Sequence, residues 1–485
     1  MLPPSYLDAM PDAFVQLWQQ VEDEILQDVA RRIGKMDAVT ATANWQLWRY
    51  QQTEALRNDV VKLLAKYTGK SESTIRRLLL QAATEAMERE DAIYYHYGKE
   101  PQPFEESAAL NNLLDAGARQ TCGTWQNLTA TTANTVTGAF ERTLDAAWGK
   151  VSTGAFDYKT AVKQAVDSLA DDMPMVTYPS GHKDSIEVAA RRAVLTGVNQ
   201  TAGKLQEARM DEMNVEFVET SAHGGARPSH AEWQGRRFHR GKHYPDFEQA
   251  TGYGTGAGLC GWNCRHTFFA VFPELGDPPT WTEESLQELN ARNIEYNGKL
   301  YTQYEVNQMQ RARERNVRKW KKRYLAESAA GSDTTDSAVR LKAARQSLSE
   351  FAKATGGRVD SARTSVHGFG RSASSKAAWA VRHNTLTNTV GQTIIKVSKS
   401  NITGPRNGIT QKTNAKGGID RNYYGPDGRQ TKQISNNGHG HKVEEALGKH
   451  GEHAHDYIFD AEGHLCGRPS RELTDAERKE NSDIL

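Results

Sequence analysis

Apolar residues recur every three or four positions through much of the first ~210 residues, a spacing that predicts amphipathic helices. The first such stripe consists of Phe14, Leu17, Trp18, Val21, Ile25, Val29 and Ile33. Asp12, which follows Pro11, is expected to cap the start of this helix. Further helices are predicted over 74–90 and 110–148, the second with a break near Gly123. This part of the chain is therefore interpreted as a helical scaffold.

A small α+β module is predicted next. A helix is expected over 184–213, where Asp184 and Glu187 have the spacing of a capping box and apolar residues line one face. Polar and apolar residues alternate over 214–219, which predicts a short strand, and the apolar run 267–272 predicts a second one. Two strands that flank a Gly-rich loop are typical of a compact α+β unit.

The pattern weakens after this module. A helix is predicted over 341–354, but residues 360–415 are rich in Ser, Thr, Asn and Gly and have few apolar runs. Ile394, Ile395 and Val397 are the main exception. This composition is typical of a linker with some local structure.

Strand-like residues return in the last segment, 416–485. The turn sequences 424–429 and 459–464 each lie between such residues, so two hairpins are predicted. Thr474 and Glu477 have capping-box spacing, which predicts a short final helix.

Taken together, these elements predict a mainly α fold with a small α+β module and a separate small α+β C-terminal domain. The expected domains are a helical scaffold (1–178), the α+β module (179–330), a helix with a basic flexible linker (331–415) and a His-rich domain (416–485).

Composition narrows the class of protein. The chain has 485 residues, of which 37% are hydrophobic and 25% charged, and its formal net charge is +1. No apolar run approaches the ~20 residues of a membrane span, and the first residues lack a secretory signal, so synthesis in a cytoplasm and no membrane partner are expected. Four cysteines are too few for a disulfide scaffold.

The near-neutral total conceals two basic stretches. Residues 311–323 hold eight basic residues and one acid, and residues 353–416 hold eleven and one. Such clusters attract double-stranded DNA without sequence preference. The alternative is a solvated helix face followed by a flexible linker.

A Cys/His cluster in the Gly-rich loop is the first candidate for chemistry. The candidate ligands are His230, Cys260, Cys264 and His266, and the spare candidates for a fourth ligand are His223, His239 and His243. Thiolates and imidazoles are the ligands that zinc prefers, and a bound ion would hold a long loop that has little core of its own. The spacing matches no common zinc finger. The alternative is a pair of buried thiols beside hydrogen-bonded histidines.

A second candidate is the histidine-rich C-terminal segment, which contains His439, His441, His450, His453, His455 and His464. His453 and His455 are expected to share one face of a strand, and with His450 they form the candidate site. Such a cluster binds a divalent metal or supplies a general base. The alternative is a polar surface in a binding domain.

Three segments carry a resemblance to a known family: DSIEVAARRAVLTGVNQTAGKLQEARMDEM, VETSAHGGARPSHAEWQGRRF and YPDFEQATGYGTGAGLCGWNCRHTFF. They resemble the phage minor capsid protein 2 family and, distantly, the Mu F-like head morphogenesis proteins. The resemblance covers roughly residues 1–370. The residues that match the shared motifs are Arg192, Asn199, Arg227, His230, Asn263, Cys264 and Arg265.

The resemblance implies a low-copy structural protein of the phage head, assembled in the host cytoplasm and carried in the virion. Portal and major capsid proteins are the implied partners, and genome DNA is a further one. No catalytic residues are implied, so the motif residues are expected to act in structure or assembly. The tail weakly resembles C-terminal domains of polymorphic toxins, which leaves a metal-dependent hydrolase or toxin as the alternative for that domain.

Overall fold

A computed structural model describes residues 2–36, 42–153, 156–172, 175–178, 180–240, 246–383, 385–414, 417–438, 440–460 and 462–485. Helices account for 57% of the structure and strands for 12%. The fold is mainly α, with a small α+β module and a sheet-containing C-terminal region, and this confirms the predicted fold class.

The helices are α1 (Pro4–Ala9), α2 (Asp12–Gly34), α3 (Thr42–His96), α4 (Ala108–Ala130), α5 (Thr132–Ser152), α6 (Tyr158–Asp172), α7 (Ile186–Glu212), α8 (Pro228–Ala231), α9 (Asp246–Thr251), α10 (Glu283–Asn290), α11 (Gln303–Ala329), α12 (Thr335–Ala354), α13 (Arg371–His383), α14 (Lys442–Glu445) and α15 (Asp475–Glu480).

The strands are β1 (Val176–Thr177), β2 (Lys183–Asp184), β3 (Phe217–Thr220), β4 (Arg237–His239), β5 (Phe268–Val271), β6 (Ile294–Tyr296), β7 (Lys299–Tyr301), β8 (Thr385–Thr387), β9 (Thr393–Lys396), β10 (Ile409–Thr413), β11 (Ile419–Tyr424), β12 (Gln430–Ser435), β13 (His453–Asp456), β14 (Ile458–Phe459), β15 (Leu465–Gly467) and β16 (Ser470–Arg471).

The chain forms two compact units, each built from segments that are separated in sequence. Unit 1 comprises Met1–Val29, Ala38–Ala155 and Asp172–Met309. Unit 2 comprises Ala30–Asp37, Phe156–Asp171 and Gln310–Leu485. The boundaries of the four domains predicted from the sequence stay predictions.

Helix α2 confirms the first predicted stripe. Phe14, Trp18, Val21 and Val29 of that stripe are fully buried. The rings of Trp18 and Trp125 meet edge to face with centroids 4.7 Å apart, and the Trp18 indole donates a hydrogen bond to Ser71. Asp12 is the first residue of the helix rather than its cap, because its carboxylate instead accepts a hydrogen bond from Arg191.

The long helix α3 corrects the prediction for 74–90, which is only part of the C-terminal half of 55 continuous helical residues. The predicted helix over 110–148 is two helices, and the interruption is at Thr131 rather than at Gly123. Gly123 continues the helix, because a glycine in a helix weakens it without forcing it to end.

Helices α4 and α7 cross at two glycines that face threonines. An added methyl group at Gly117 would lie 2.3 Å from the Thr201 hydroxyl, and one at Gly197 would lie 2.3 Å from the Thr121 hydroxyl. Each threonine hydroxyl donates to the carbonyl of the glycine four residues before it on its own helix. The two backbones therefore approach each other as closely as residues without side chains allow.

The α+β module follows α7, whose N-cap is Ser185. The Ser185 hydroxyl accepts from the Val188 amide, so the N-cap lies one residue later than predicted. The predicted capping box of Asp184 and Glu187 is therefore wrong. Strands β3 and β5 confirm the two predicted strands, and β4 lies on the other side of β3 in an antiparallel sheet of order β4-β3-β5.

The described part of the C-terminal region forms a seven-stranded sheet of order β16-β13-β12-β11-β10-β9-β8. Strands β8, β9 and β10 and helix α13 lie in residues 360–415, so the prediction of a flexible linker there is wrong. The strands here are only three to five residues long and contain several Thr residues, so they give little apolar signal. The hairpins β11–β12 and β14–β15 and the capping box of Thr474 and Glu477 are confirmed.

Candidate metal centre and a second histidine cluster

The Gly-rich loop is folded around three of its four predicted ligands. His230 lies on α8, which starts at Pro228, and His266 lies two residues before β5. Cys264 closes a tight turn in which Cys260 and Asn263 have φ values of +57° and +54°. These left-handed conformations turn the chain sharply, so that Cys264 and His266 face His230.

The ligand atoms of His230, Cys264 and His266 converge. The two Nδ1 atoms of His230 and His266 are 3.3 Å apart, and the Cys264 Sγ lies 3.8 Å and 3.7 Å from them, respectively. All three residues are buried, with 1–2% of their surface exposed. The sequence prediction of a shared site therefore places these three side chains correctly next to one another.

Hydrogen bonds on the far side of each ring define the protonation of the two imidazoles. The His230 Nε2 lies 3.0 Å from the Ala257 carbonyl oxygen. The His266 Nε2 lies 3.0 Å from the Gln234 Oε1, which also accepts from the backbone amide of His223 and is therefore the oxygen of that side chain. Both Nε2 atoms must donate, so in the neutral rings both Nδ1 atoms carry lone pairs directed at Cys264.

Burial shifts the pKa values of the two imidazoles and the thiol towards their neutral forms. It lowers the pKa of His230 to about 4 and that of His266 well below its ordinary value, because an imidazolium ion loses its hydration there. It raises the pKa of the Cys264 thiol for the same reason. Without a bound cation, the cluster is thus a neutral, desolvated group of three electron-pair donors.

The remaining predicted ligands lie elsewhere. Cys260 is buried, but its sulfur approaches the His266 carbonyl (3.9 Å) and is not part of the convergent group. The His223 ring stacks on His266 with centroids 4.3 Å apart, and its buried Nε2 has no hydrogen-bond partner among the described residues. His239 lies on β4 near Glu216, and His243 is outside the described residues.

The other motif residues hold the backbone around this cluster. The Asn199 amide on α7 donates to the carbonyls of both Cys264 and His266, each at 3.0 Å. Arg227 donates to the Trp262 carbonyl, and Arg265 pairs with Asp8. The left-handed Asn263 forms the turn, whereas Arg192 pairs with Asp184 and lies over the Tyr178 ring.

A second cluster lies on the C-terminal sheet. The Nε2 atoms of His453 and His455 on β13 are 3.1 Å apart, and the Glu444 carboxylate lies 3.7 Å and 3.3 Å from them. Arg468 places its Nη2 3.1 Å from the His455 Nε2. Burial, together with Arg468 and His453, lowers the pKa of His455.

The other predicted histidines of this segment do not join the cluster. The backbone amide of His450 donates to Glu452, His441 precedes α14, and His464 pairs with Asp460. His439 is outside the described residues. Sequence reasoning missed Gln234, Glu444 and Arg468, since none of them stands in a recognisable spacing with the histidine that it contacts.

Comparison with known proteins shows the family. The family model of phage minor capsid protein 2 matches residues 2–353, which is more than half of the chain. The chain belongs to this family. The Cys/His cluster lies inside the matched region of the minor capsid protein, and the Glu444 cluster lies beyond it.

A curated relative agrees with this assignment. The minor capsid protein is 27% identical over 252 residues to a protein of Lactococcus phage LL-H described as a structural protein. The match covers 48% of this chain and 63% of that protein. No solved structure matches the chain. Among the described residues, no helix combines the length and the apolar character that crossing a membrane requires.

Proposed function

We propose that this minor capsid protein is built into the phage head, where it contacts the portal and major capsid proteins, and that it assembles in the host cytoplasm. The family match over 2–353 and the structural-protein relative support a role in the particle. The observation that carries a structural role is the position of the motif residues. Asn199 and Arg227 direct their polar groups at neighbouring backbone of the module, and Arg265 pairs with Asp8 on α1.

This proposal is tested on purified particles. Peptide mass spectrometry should detect the chain in mature heads, and chemical cross-linking should join unit 1 lysines to portal and major capsid subunits. A chain present only in the lysate of infected cells, or cross-linked only to tail proteins, would contradict the assignment.

The two basic stretches differ as candidates for DNA contact. On α11, Arg323 pairs with Asp167 and Asp171, and Lys321 is a buried ammonium that donates to the Thr364 carbonyl. Lys319 also pairs with Asp171, and Arg318 and Arg313 contact the Arg363 carbonyl and the Phe351 ring, respectively. These cations stabilise unit 2 itself.

Exposed basic residues of the second stretch favour DNA contact as a second candidate function. Arg358, Arg371, Lys376, Lys396 and Lys399 are all exposed to solvent. We propose that they contact genome DNA through its phosphates. Replacing Lys396 and Lys399 by Gln should weaken duplex binding and reduce its salt dependence, whereas Gln at the exposed Lys62 and Lys66 should not. Equal effects in the two double variants would remove this candidate.

The convergence of Glu444, His453 and His455 favours the hydrolase alternative for the C-terminal region. Two imidazoles and a carboxylate suit a divalent transition metal, but Arg468 donates to the same His455 nitrogen that a metal would need. Metal binding therefore requires Arg468 to move. Nuclease assays on the full chain should show metal-dependent cleavage that His455→Gln abolishes and that His464→Gln, a change at an exposed histidine, leaves intact. Activity that is absent, or equal in both variants, would contradict this function.

A further inference from the structure

The convergent atoms of the Cys/His cluster have more lone pairs than protons to share. The Nδ1 atoms of His230 and His266 both present lone pairs, and they lie within 3.3 Å of each other. The Cys264 thiol has one proton, so it can satisfy one of these nitrogens but not both. One lone pair is therefore left without a proton, and a cation shared by the three atoms would satisfy all of them.

The spacing of the three atoms matches coordination geometry. Zinc binds imidazole nitrogen at about 2.0–2.1 Å and thiolate sulfur at about 2.3 Å, so tetrahedral ligands are separated by about 3.3 Å (N to N) and about 3.6 Å (N to S). The observed separations are 3.3 Å between nitrogens and 3.7–3.8 Å from sulfur to nitrogen. The side chains thus already have the positions of three corners of a tetrahedron.

The residues around the three ligand side chains also suit a metal site. Each ligand ring donates its Nε2–H to an oxygen, as metal-bound histidines do with the nitrogen that is not coordinated, and this fixes the tautomer in which Nδ1 is free to bind. Asn199 fixes the backbone on both sides of Arg265 by bonding to the Cys264 and His266 carbonyls. Oxygen-preferring cations such as Mg²⁺ and Ca²⁺ do not fit two imidazoles and a thiolate, whereas Zn²⁺ does.

We propose that His230 Nδ1, Cys264 Sγ and His266 Nδ1 bind one Zn²⁺ ion, which holds the loop of the α+β module in place. On binding, the thiol releases its proton to solvent and the thiolate coordinates the ion. His223 supplies the fourth ligand after its side chain rotates, because its Nε2 is buried beside His266 and, within the described part of the chain, makes no hydrogen bond. Zinc binding at this cluster does not depend on which capsid protein the module contacts.

The test is metal analysis of the full chain, purified without a histidine tag. About one zinc ion per chain is expected in the wild type, and Cys264→Ser should reduce this to background. Cys260→Ser is the matched control, since Cys260 is a second buried thiol of the same loop outside the cluster, and it should keep its zinc. Wild-type protein without zinc, or equal loss in both variants, would overturn the proposal.

Cobalt provides a readout that does not depend on folding of the variants. Wild-type protein refolded with Co²⁺ should show tetrahedral visible bands and a thiolate charge-transfer band, and a spectrum without the thiolate band would overturn the assignment of Cys264.

His223→Gln should weaken zinc binding at least about tenfold and leave the thiolate band in place. Unchanged zinc affinity in this variant would overturn the assignment of the fourth ligand.

Discussion

The glycine–threonine crossing of α4 and α7 makes a prediction whose sign can be tested. In Gly197→Ala the new methyl group would lie 2.3, 2.7 and 3.0 Å from the Oγ1, Cγ2 and Cβ atoms of Thr121. All three distances are shorter than an ordinary contact of about 3.4 Å, so either Thr121 or a whole helix must move. Rotation of Thr121 alone would break its 2.8 Å hydrogen bond to the Gly117 carbonyl.

The magnitude follows from three contributions. Overpacking of a close helix contact costs about 1–3 kcal/mol, and loss of the threonine hydrogen bond costs about 1 kcal/mol. Replacing glycine by alanine inside a helix returns about 1 kcal/mol through backbone entropy and propensity. The expected net loss in the free energy of unfolding for Gly197→Ala is therefore about 1–3 kcal/mol.

Gly123→Ala on α4 is the matched control, because an added methyl group there meets no atom within 4 Å. It should stabilise the protein by about 0.5–1 kcal/mol. Thermal unfolding followed by calorimetry should thus move in opposite directions for the two variants, by about 2–4 °C for each kcal/mol. Adding Thr121→Ala should remove most of the Gly197→Ala penalty. If Gly197→Ala is as stable as the wild type, the close approach of the helices is refuted.

Three further predictions concern unit 2. Burial opposes ionisation of Glu452, but hydrogen bonds from Arg478 and from two backbone amides lower its pKa to about 2; Glu452→Gln should therefore destabilise the unit above pH 4.5, with a penalty that fades as the pH falls towards 2, and a pH-independent penalty would contradict this. The fully buried Arg421 pairs with Asp483, so Asp483→Asn should lower the unfolding temperature. Arg421→Leu should lower the unfolding temperature less in the Asp483→Asn background than in the wild type, and equal effects in the two backgrounds would count against the pair. Thr474→Ala removes the cap of α15 and should cost about 1 kcal/mol in urea unfolding, whereas a loss below about 0.3 kcal/mol would show that the cap contributes little.

Local signals in the sequence were sufficient where one short segment determines the structure. The apolar stripe of α2, the turns at 424–429 and 459–464 and the capping box at Thr474 need only neighbouring residues, and all are confirmed. The continuity of α3 was missed because its apolar residues do not keep to one face: Leu47, Val61 and Leu80 are exposed. The helical state of the whole segment depends on packing against α4, α5 and α7.

In the candidate sites, too, the pairs that are close along the chain follow from the sequence, whereas the distant residues that join them depend on the fold. His453 and His455 share a strand face because they are two residues apart, and Cys264 and His266 come together across a similarly short separation. His230 and Glu444 reach these pairs through the path of the loop and of α14, which spacing alone does not encode. Cys260 was grouped with Cys264 by proximity in sequence, but its sulfur lies beside the His266 carbonyl oxygen and outside the convergent group.

The interleaving of the two units in the sequence has a consequence for synthesis on the ribosome. Helix α6 belongs to unit 2, and its Lys163 and Asp167 pair with Glu327 and Arg323 of α11. At about 5–20 residues per second, α6 leaves the ribosome about 8–30 s before its partners are made. During that interval the ion pairs that join α6 to α11 cannot form, so this helix completes its native contacts late. For the same reason, expression of a C-terminal fragment alone would yield unit 2 without one of its helices.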